Sequence, residues 1–131
     1  MNIEEMDIWK RSIDLVVKTY FLTNTYPNSE KFGLVSQMRR AAVSIPSNLA
    51  EGAARNTNKD YVRFLYISLG SISELYTQFV ISQRLSFINQ HDFEVIAEVI
   101  ANVKKMFIGL IKYLKSIKSP NSNDSRITTH G

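Results

Sequence analysis

Cysteine is absent from the chain, which removes disulfides, thiol nucleophiles, thiolate metal sites and redox switching together. Histidine is nearly absent: His91 and His130 leave little material for a metal or acid–base site. With 5 Gly and 3 Pro in 131 residues, there is too little punctuation for a many-stranded sheet. No consecutive apolar run reaches the roughly 18 residues of a membrane span. The start, Met1 to Lys10, carries Glu4, Glu5 and Asp7 and no signal-type apolar stretch, so the expectation is a soluble, cytoplasmic protein with no membrane partner. Charge of one sign is not dominant either. Lys+Arg number 16 against 12 Asp+Glu, a net charge of +4, and the pI of about 9.4 permits an acidic partner without requiring one.

What is present is a chain 44% apolar and 11% aromatic, the size of one domain with a small core. Its apolar residues recur at three- and four-residue steps, which reads as all-α. A first segment, about Glu4 to Thr23, offers Ile8, Trp9, Ile13, Val16, Val17, Tyr20 and Phe21 as its stripe. A second opens at Asn28 or Ser29, either able to cap it, with Glu30 favourable to the helix dipole. Its stripe of Leu34, Met38, Ala41, Ile45, Leu49 and Ala53 keeps its phase across Pro46, so a kink near Ser44 to Pro46 is expected, two helices meeting at Pro46 being the other description.

The third segment begins at Thr57 or Asn58, Thr57 and Asp60 forming a weakened capping box, and runs to about Leu85. The fourth begins at Asn89 or Gln90 and carries Phe93, Ile96, Ile100, Val103, Phe107, Leu110 and Leu114. Four such segments with short connections predict an antiparallel up-down-up-down four-helix bundle over 1–118, and the polar, aperiodic stretch 119–131 predicts a disordered tail.

One polar pattern stands out. Gln37, Arg40, Ser44, Ser47, Glu51 and Arg55 form a continuous face of the second helix, flanked by Arg39 and Asn48. It reads either as a recognition face, with arginines gripping phosphate and Ser and Asn helping, or as a solvated face with ordinary ion pairs. Arg55, Lys59 and Arg63 add cations around the following turn, and together with Arg39 and Arg40 they predict a basic surface at one end of the bundle. The fourth helix carries Lys104, Lys105, Lys112, Lys115 and Lys118, part of which its dipole explains.

Catalytic chemistry finds no footing. Neither histidine follows a glutamate by three positions, so no di-metal pattern exists, and Glu74 reads as a helix-to-helix partner with Arg40 as its candidate. Gly33, Gly52, Gly70 and Gly109 are isolated, so no phosphate loop is present. The expectation is a non-enzyme without metal or cofactor. Gly70, among Ser68, Ser71 and Ser73, predicts close approach of another helix. The aromatics Tyr61, Phe64, Tyr66, Tyr76 and Phe79 exceed what one two-layer core uses, which predicts self-association.

The run Gln37 to Gly52 (QMRRAAVSIPSNLAEG), then Arg55, Lys59-Asp60-Tyr61, Arg63-Phe64-Leu65, Gly70-Ser71 and Glu74-Leu75, resembles the 23S rRNA-intervening sequence proteins, also called S23 ribosomal proteins. Trp9-Lys10, Tyr20, Pro27, Phe32-Gly33-Leu34 and Arg84-Leu85 extend the likeness, while Leu49 and Ser68 depart from the usual Ile and Ala. The resemblance implies a four-helix bundle assembled as a ring-like homopentamer, and a related bundle accompanies diversity-generating retroelements and binds nucleic acid.

Taken together, the expectation is a homo-oligomer that binds RNA or DNA through Arg39, Arg40, Arg55, Lys59 and Arg63, with Ser44 and Asn48 as polar helpers. Pro46, Glu51, Gly52, Gly70 and Glu74 are the expected structural residues of the motif. The rival expectation is an interaction scaffold in which Arg40, Glu51, Arg55 and Glu74 pair within or between subunits.

Overall fold

The structure is a computed structural model that describes residues 2–117; Lys118 and the expected tail at 119–131 lie outside the described residues. Four α-helices build it: α1 (Asp7–Thr23), α2 (Leu34–Ala53), α3 (Asn58–Arg84) and α4 (Gln90–Ser116). Short 3-10 turns at Ile3–Glu5 and Asn28–Glu30 precede α1 and α2.

The buried line of α1 differs from the expected stripe. Ile8, Ser12, Leu15, Thr19 and Thr23 face inward, while Val17 and Phe21 are 61% and 78% exposed. The buried hydroxyls cost little because each donates to the carbonyl one turn back: Ser12 to Ile8 at 2.7 Å, Thr19 to Leu15 and Thr23 to Thr19 at 2.8 Å. Small residues with self-satisfied hydroxyls thus form the inner edge, a pattern that counting apolar residues overlooks.

The start of α2 also moves. Asn28 and Ser29 do not cap it; they belong to the 3-10 turn, and the helix opens at Leu34 behind Gly33. Glu30 does the capping, its Oε1 accepting the Leu34 N–H at 3.3 Å. From there α2 is a single helix through Pro46, which removes the two-helix description. Proline brings no N–H to the ladder. Two side chains add bonds to carbonyls beside it: Asn48 Nδ2 donates to the Ser44 carbonyl and Ser68 Oγ to the Ile45 carbonyl, both at 2.9 Å.

Capping at α3 and α4 follows the sequence signals. Thr57 Oγ1 accepts the Asp60 N–H at 3.1 Å and Asn89 Oδ1 the Asp92 N–H at 2.7 Å. The end of α3 closes with Ser86 at φ 63°, where the Phe87 N–H reaches the Ser82 carbonyl at 2.8 Å.

The core is one cluster drawn from all four helices, with Leu15, Met38, Ile45, Leu49, Leu65, Ile72, Leu75, Phe79, Ile96, Val103 and Phe107 inside. Met38 meets Ser82, Ile45 meets Ser68 and Gly52 meets Tyr61, so α3 is encountered progressively earlier as α2 advances. By length and apolarity α3 could cross a membrane, with a mean hydropathy of 1.2 over its most apolar stretch. Leu65, Ile72, Leu75 and Phe79 spend that apolarity on the core, and 44% of the stretch is buried inside the bundle.

Candidate nucleic-acid interface

Around the α2–α3 turn lie three cations, Arg55, Lys59 and Arg63, and two carboxylates, Glu51 and Asp60. Arg55 Nη2 stands 3.2 Å from Glu51 Oε2, and Arg63 Nε 3.4 Å from Asp60 Oδ1. Both guanidinium groups also lie over the Phe64 ring, at 4.7 and 4.5 Å from its centroid. Lys59 is exposed beside them. All these groups remain in contact with solvent, so the pairs are weakly held and can be redirected to a phosphate.

Arg39 and Arg40 do not join this cluster. From Arg40 to the end of α2 at Ala53, two residues before Arg55, is about 20 Å along the axis at ~1.5 Å per residue. The expected single basic surface is therefore two: one at the α2–α3 turn, the other where α2 begins beside the end of α1. Arg39 anchors the second. Its Nε donates to Thr23 Oγ1 at 3.1 Å, its Nη2 to the Tyr20 carbonyl at 3.4 Å, and its guanidinium lies 4.5 Å from the Tyr20 ring centroid.

Arg40 is exposed, and among the described residues no ion pair joins it to Glu74, whose Oε2 accepts from Gln78 Nε2 at 3.4 Å. Arg39 and Arg40 share with Lys31 a cleft of about 470 Å³, walled by Tyr20, Phe32, Val35, Ser36 and Val43, and among the described residues no carboxylate lines it. Neither Lys31 nor Phe32 is among the site residues expected from the sequence, where Phe32 figures only in the family resemblance. Their available signal was an adjacent cation and aromatic just before Gly33.

Ser44 and Asn48 sit between the two basic regions, turned toward α3. The Ser44 and Ser71 hydroxyls lie 2.8 Å apart, and Asn48 Nδ2 donates to Ser44 Oγ at 2.9 Å. Ser68 and Ser71, absent from the expected set, complete this polar seam with α2.

Of the motif glycines, Gly52 is the point of close approach, where an added β-carbon would stand 2.9 Å from both the Phe64 Cβ and the Tyr61 Cδ1. Gly70 is not: among the described residues nothing lies within 4 Å of the corresponding position, so none of them makes the expected close approach there.

The fourth helix contributes Lys115, whose Nζ donates to the Tyr66 hydroxyl at 3.4 Å. Lys104 borders a groove of about 430 Å³ between α3 and α4 that also includes Tyr76 and Ala101. Among the described residues, no three His, Cys, Asp or Glu side chains gather where they could hold a metal ion. Burial pushes the Tyr26 phenol above its usual range, with the Ser82 hydroxyl offsetting part of the effect.

The chain's likeness to known proteins agrees with this architecture. No curated protein matches it. A crystal structure of a protein of unknown function from the S23 ribosomal protein family of Bacteroides thetaiotaomicron shares the fold. It has a TM-score of 0.75 and 24% identity, over 80% of this chain and 95% of that one. The family model described as 23S rRNA-intervening sequence protein matches residues 4–109, most of the described bundle. With that match, the chain belongs to the 23S rRNA-intervening sequence protein family.

Proposed function

We propose that this protein is a non-enzymatic, homo-oligomeric bundle that binds RNA or DNA through backbone phosphates. The observation that carries the reading is the cleft where Lys31, Arg39 and Arg40 converge without a carboxylate among the lining residues. Phosphate is the ligand that such an arrangement favours: guanidinium groups bind its oxygens bidentately and need no other chemistry. The second region, Arg55, Lys59 and Arg63, lies beyond the far end of α2, about 20 Å along its axis from Arg40. Phosphates on one strand of a duplex recur every ~3.4 Å along the axis, so the two regions address phosphates about six apart.

Self-association is supported by what α1 and α4 leave outside. Val17, Phe21 and Val95 are exposed and border a shallow apolar groove with Leu22 and Ile96. An apolar surface of this kind fits a neighbouring copy. A ring of five, the assembly that the family resemblance implies, would multiply a net charge of +4 to about +20.

Titration of labelled structured RNA and duplex DNA at two salt concentrations tests the binding. The expected result is tight association at low salt that falls steeply as salt rises. Absence of binding to either at low salt would overturn the proposal. The Glu51–Arg55 and Asp60–Arg63 pairs favour one rival, a scaffold in which these charges serve assembly. Arg40→Ala and Arg55→Ala on a sizing column separate the two. Intact assembly with weakened nucleic-acid binding supports the proposal, and loss of assembly supports the scaffold.

A further inference from the structure

The cleft between α1 and the start of α2 holds more than charge. Phe32 is 90% exposed, far more than any other large apolar side chain in the described bundle except Phe21. A side chain left in water contributes little to the fold, so core packing does not explain it. Its surroundings do. The Lys31 ammonium lies 5.6 Å from the Phe32 ring centroid, Arg39 lies over Tyr20, and Arg40 and Ser36 open onto the same space. A ring available for stacking, a second ring already stacked by a guanidinium, and three cations with a hydroxyl donor surround one volume of about 470 Å³. Proteins that hold single strands combine these same groups, aromatic faces for unstacked bases and cations for the backbone beside them. A base inside a duplex exposes only its edges, so a stacking ring gains nothing from it.

Resting on the phosphate-binding reading above, we propose that this cleft takes one unpaired nucleotide of a single-stranded nucleic acid. The base stacks on Phe32, and its flanking phosphates are held by Lys31, Arg39 and Arg40. The protein therefore prefers single-stranded to duplex nucleic acid. The preference is local to this cleft, since the Arg55, Lys59 and Arg63 cluster meets phosphate of either form and has both arginines stacked on its own Phe64.

The test measures fluorescence anisotropy of a labelled oligothymidylate strand and of a duplex of equal length at low salt, using the full chain, Phe32→Ala, Phe32→Tyr and Arg40→Ala. Stacking on one base corresponds to a loss of about 5- to 150-fold when the ring is removed. Phe32→Ala is therefore expected to weaken the single strand by at least about fivefold while leaving the duplex within about twofold. Phe32→Tyr restores the single-strand affinity, and Arg40→Ala weakens both probes. Equal effects of Phe32→Ala on strand and duplex, or none on either, overturn the inference and leave phosphate binding standing. A drop in assembly mass for Phe32→Ala also overturns it, by assigning the ring to a contact between copies. If the unaltered protein binds neither probe, the phosphate-binding reading fails and this inference with it.

Discussion

A β-carbon placed on Gly52 would stand 2.9 Å from Cδ1 of Tyr61 and 3.1 Å from that residue's carbonyl oxygen, so α2 ends by laying its backbone directly on α3. Tyr61 is buried in that contact, and the Phe64 ring one turn on carries Arg55 and Arg63 on its surface. The geometry of the α2–α3 cation cluster therefore depends on a residue that bears no charge and no side chain.

Alanine at the two motif glycines is expected to move stability in opposite directions. Gly52→Ala gains up to about 1 kcal/mol of helix propensity but meets backbone and a ring below van der Waals distance, at about 1–3 kcal/mol or more, so its Tm falls. Gly70→Ala meets nothing within 4 Å and keeps the propensity gain alone, so its Tm rises. Thermal unfolding followed by circular dichroism reads both. A fall for Gly70→Ala would show that another copy packs on that position.

Asn48→Ala is expected to act on the fold before it acts on ligand. Its amide bonds both the Ser44 carbonyl and the Ser44 hydroxyl, and that hydroxyl meets Ser71 across the helix pair. Loss of these bonds costs about 1–2 kcal/mol in urea unfolding, with nucleic-acid affinity within about twofold of the unaltered protein. Ser44→Ala and Ser71→Ala should couple in a double-mutant cycle by about 0.5 kcal/mol or more, because each removes the other's partner.

Four helices, their approximate extents and the caps at Thr57 and Asn89 were legible in the sequence, because periodicity and capping are local properties. The inner edge of α1 was not. Ser12, Thr19 and Thr23 are polar by type, and only their bonds to carbonyls one turn back make them fit a core. The start of α2 was misplaced for a related reason: Asn28 and Ser29 carry a helix-start signal, yet the cap comes from Glu30 acting across the turn. For the candidate interface, Arg39, Arg40, Arg55, Lys59 and Arg63 stand out in the sequence as cations, but Lys31 does not, and how the cations group in space is not written there. Whether Arg40 lies with Arg55 or with Lys31 depends on the length of α2 and on what packs beside its first turns. The Ser44–Ser71 contact spans 27 positions, and no pattern within α2 announces it.

Tyr26 should make stability fall above the ordinary tyrosine range. Burial raises its pKa in the folded state above the usual 10.0, so at neutral pH the phenol is protonated in both states and contributes no pH dependence. Above pH 10 the unfolded chain releases a proton that the folded chain retains, which favours unfolding until the folded phenol also ionises. Among the described residues its buried hydroxyl has no hydrogen-bond partner of good geometry, so Tyr26→Phe is expected to stay within about 1 kcal/mol at neutral pH. Urea unfolding of both proteins at neutral and alkaline pH checks this: the variant should lose less stability than the unaltered protein between the two. Parallel losses would remove Tyr26 as a contributor.

Arg39 and Arg40, neighbours in sequence, should separate under alanine substitution. Arg39 ties α2 to α1 through Thr23, the Tyr20 carbonyl and the Tyr20 ring, so Arg39→Ala is expected to cost about 1–2 kcal/mol of stability as well as affinity. Arg40 is exposed and borders the same cleft, so Arg40→Ala should leave unfolding unchanged within about 0.5 kcal/mol. Its effect belongs to binding. One phosphate contact fewer lowers the magnitude of the slope of log affinity against log salt by about 0.9 on duplex DNA, and about 0.7 on a single strand. Measuring affinity across a salt series, beside urea unfolding, distinguishes the two arginines. Unchanged salt slopes for both variants would place the phosphate contacts elsewhere on the protein.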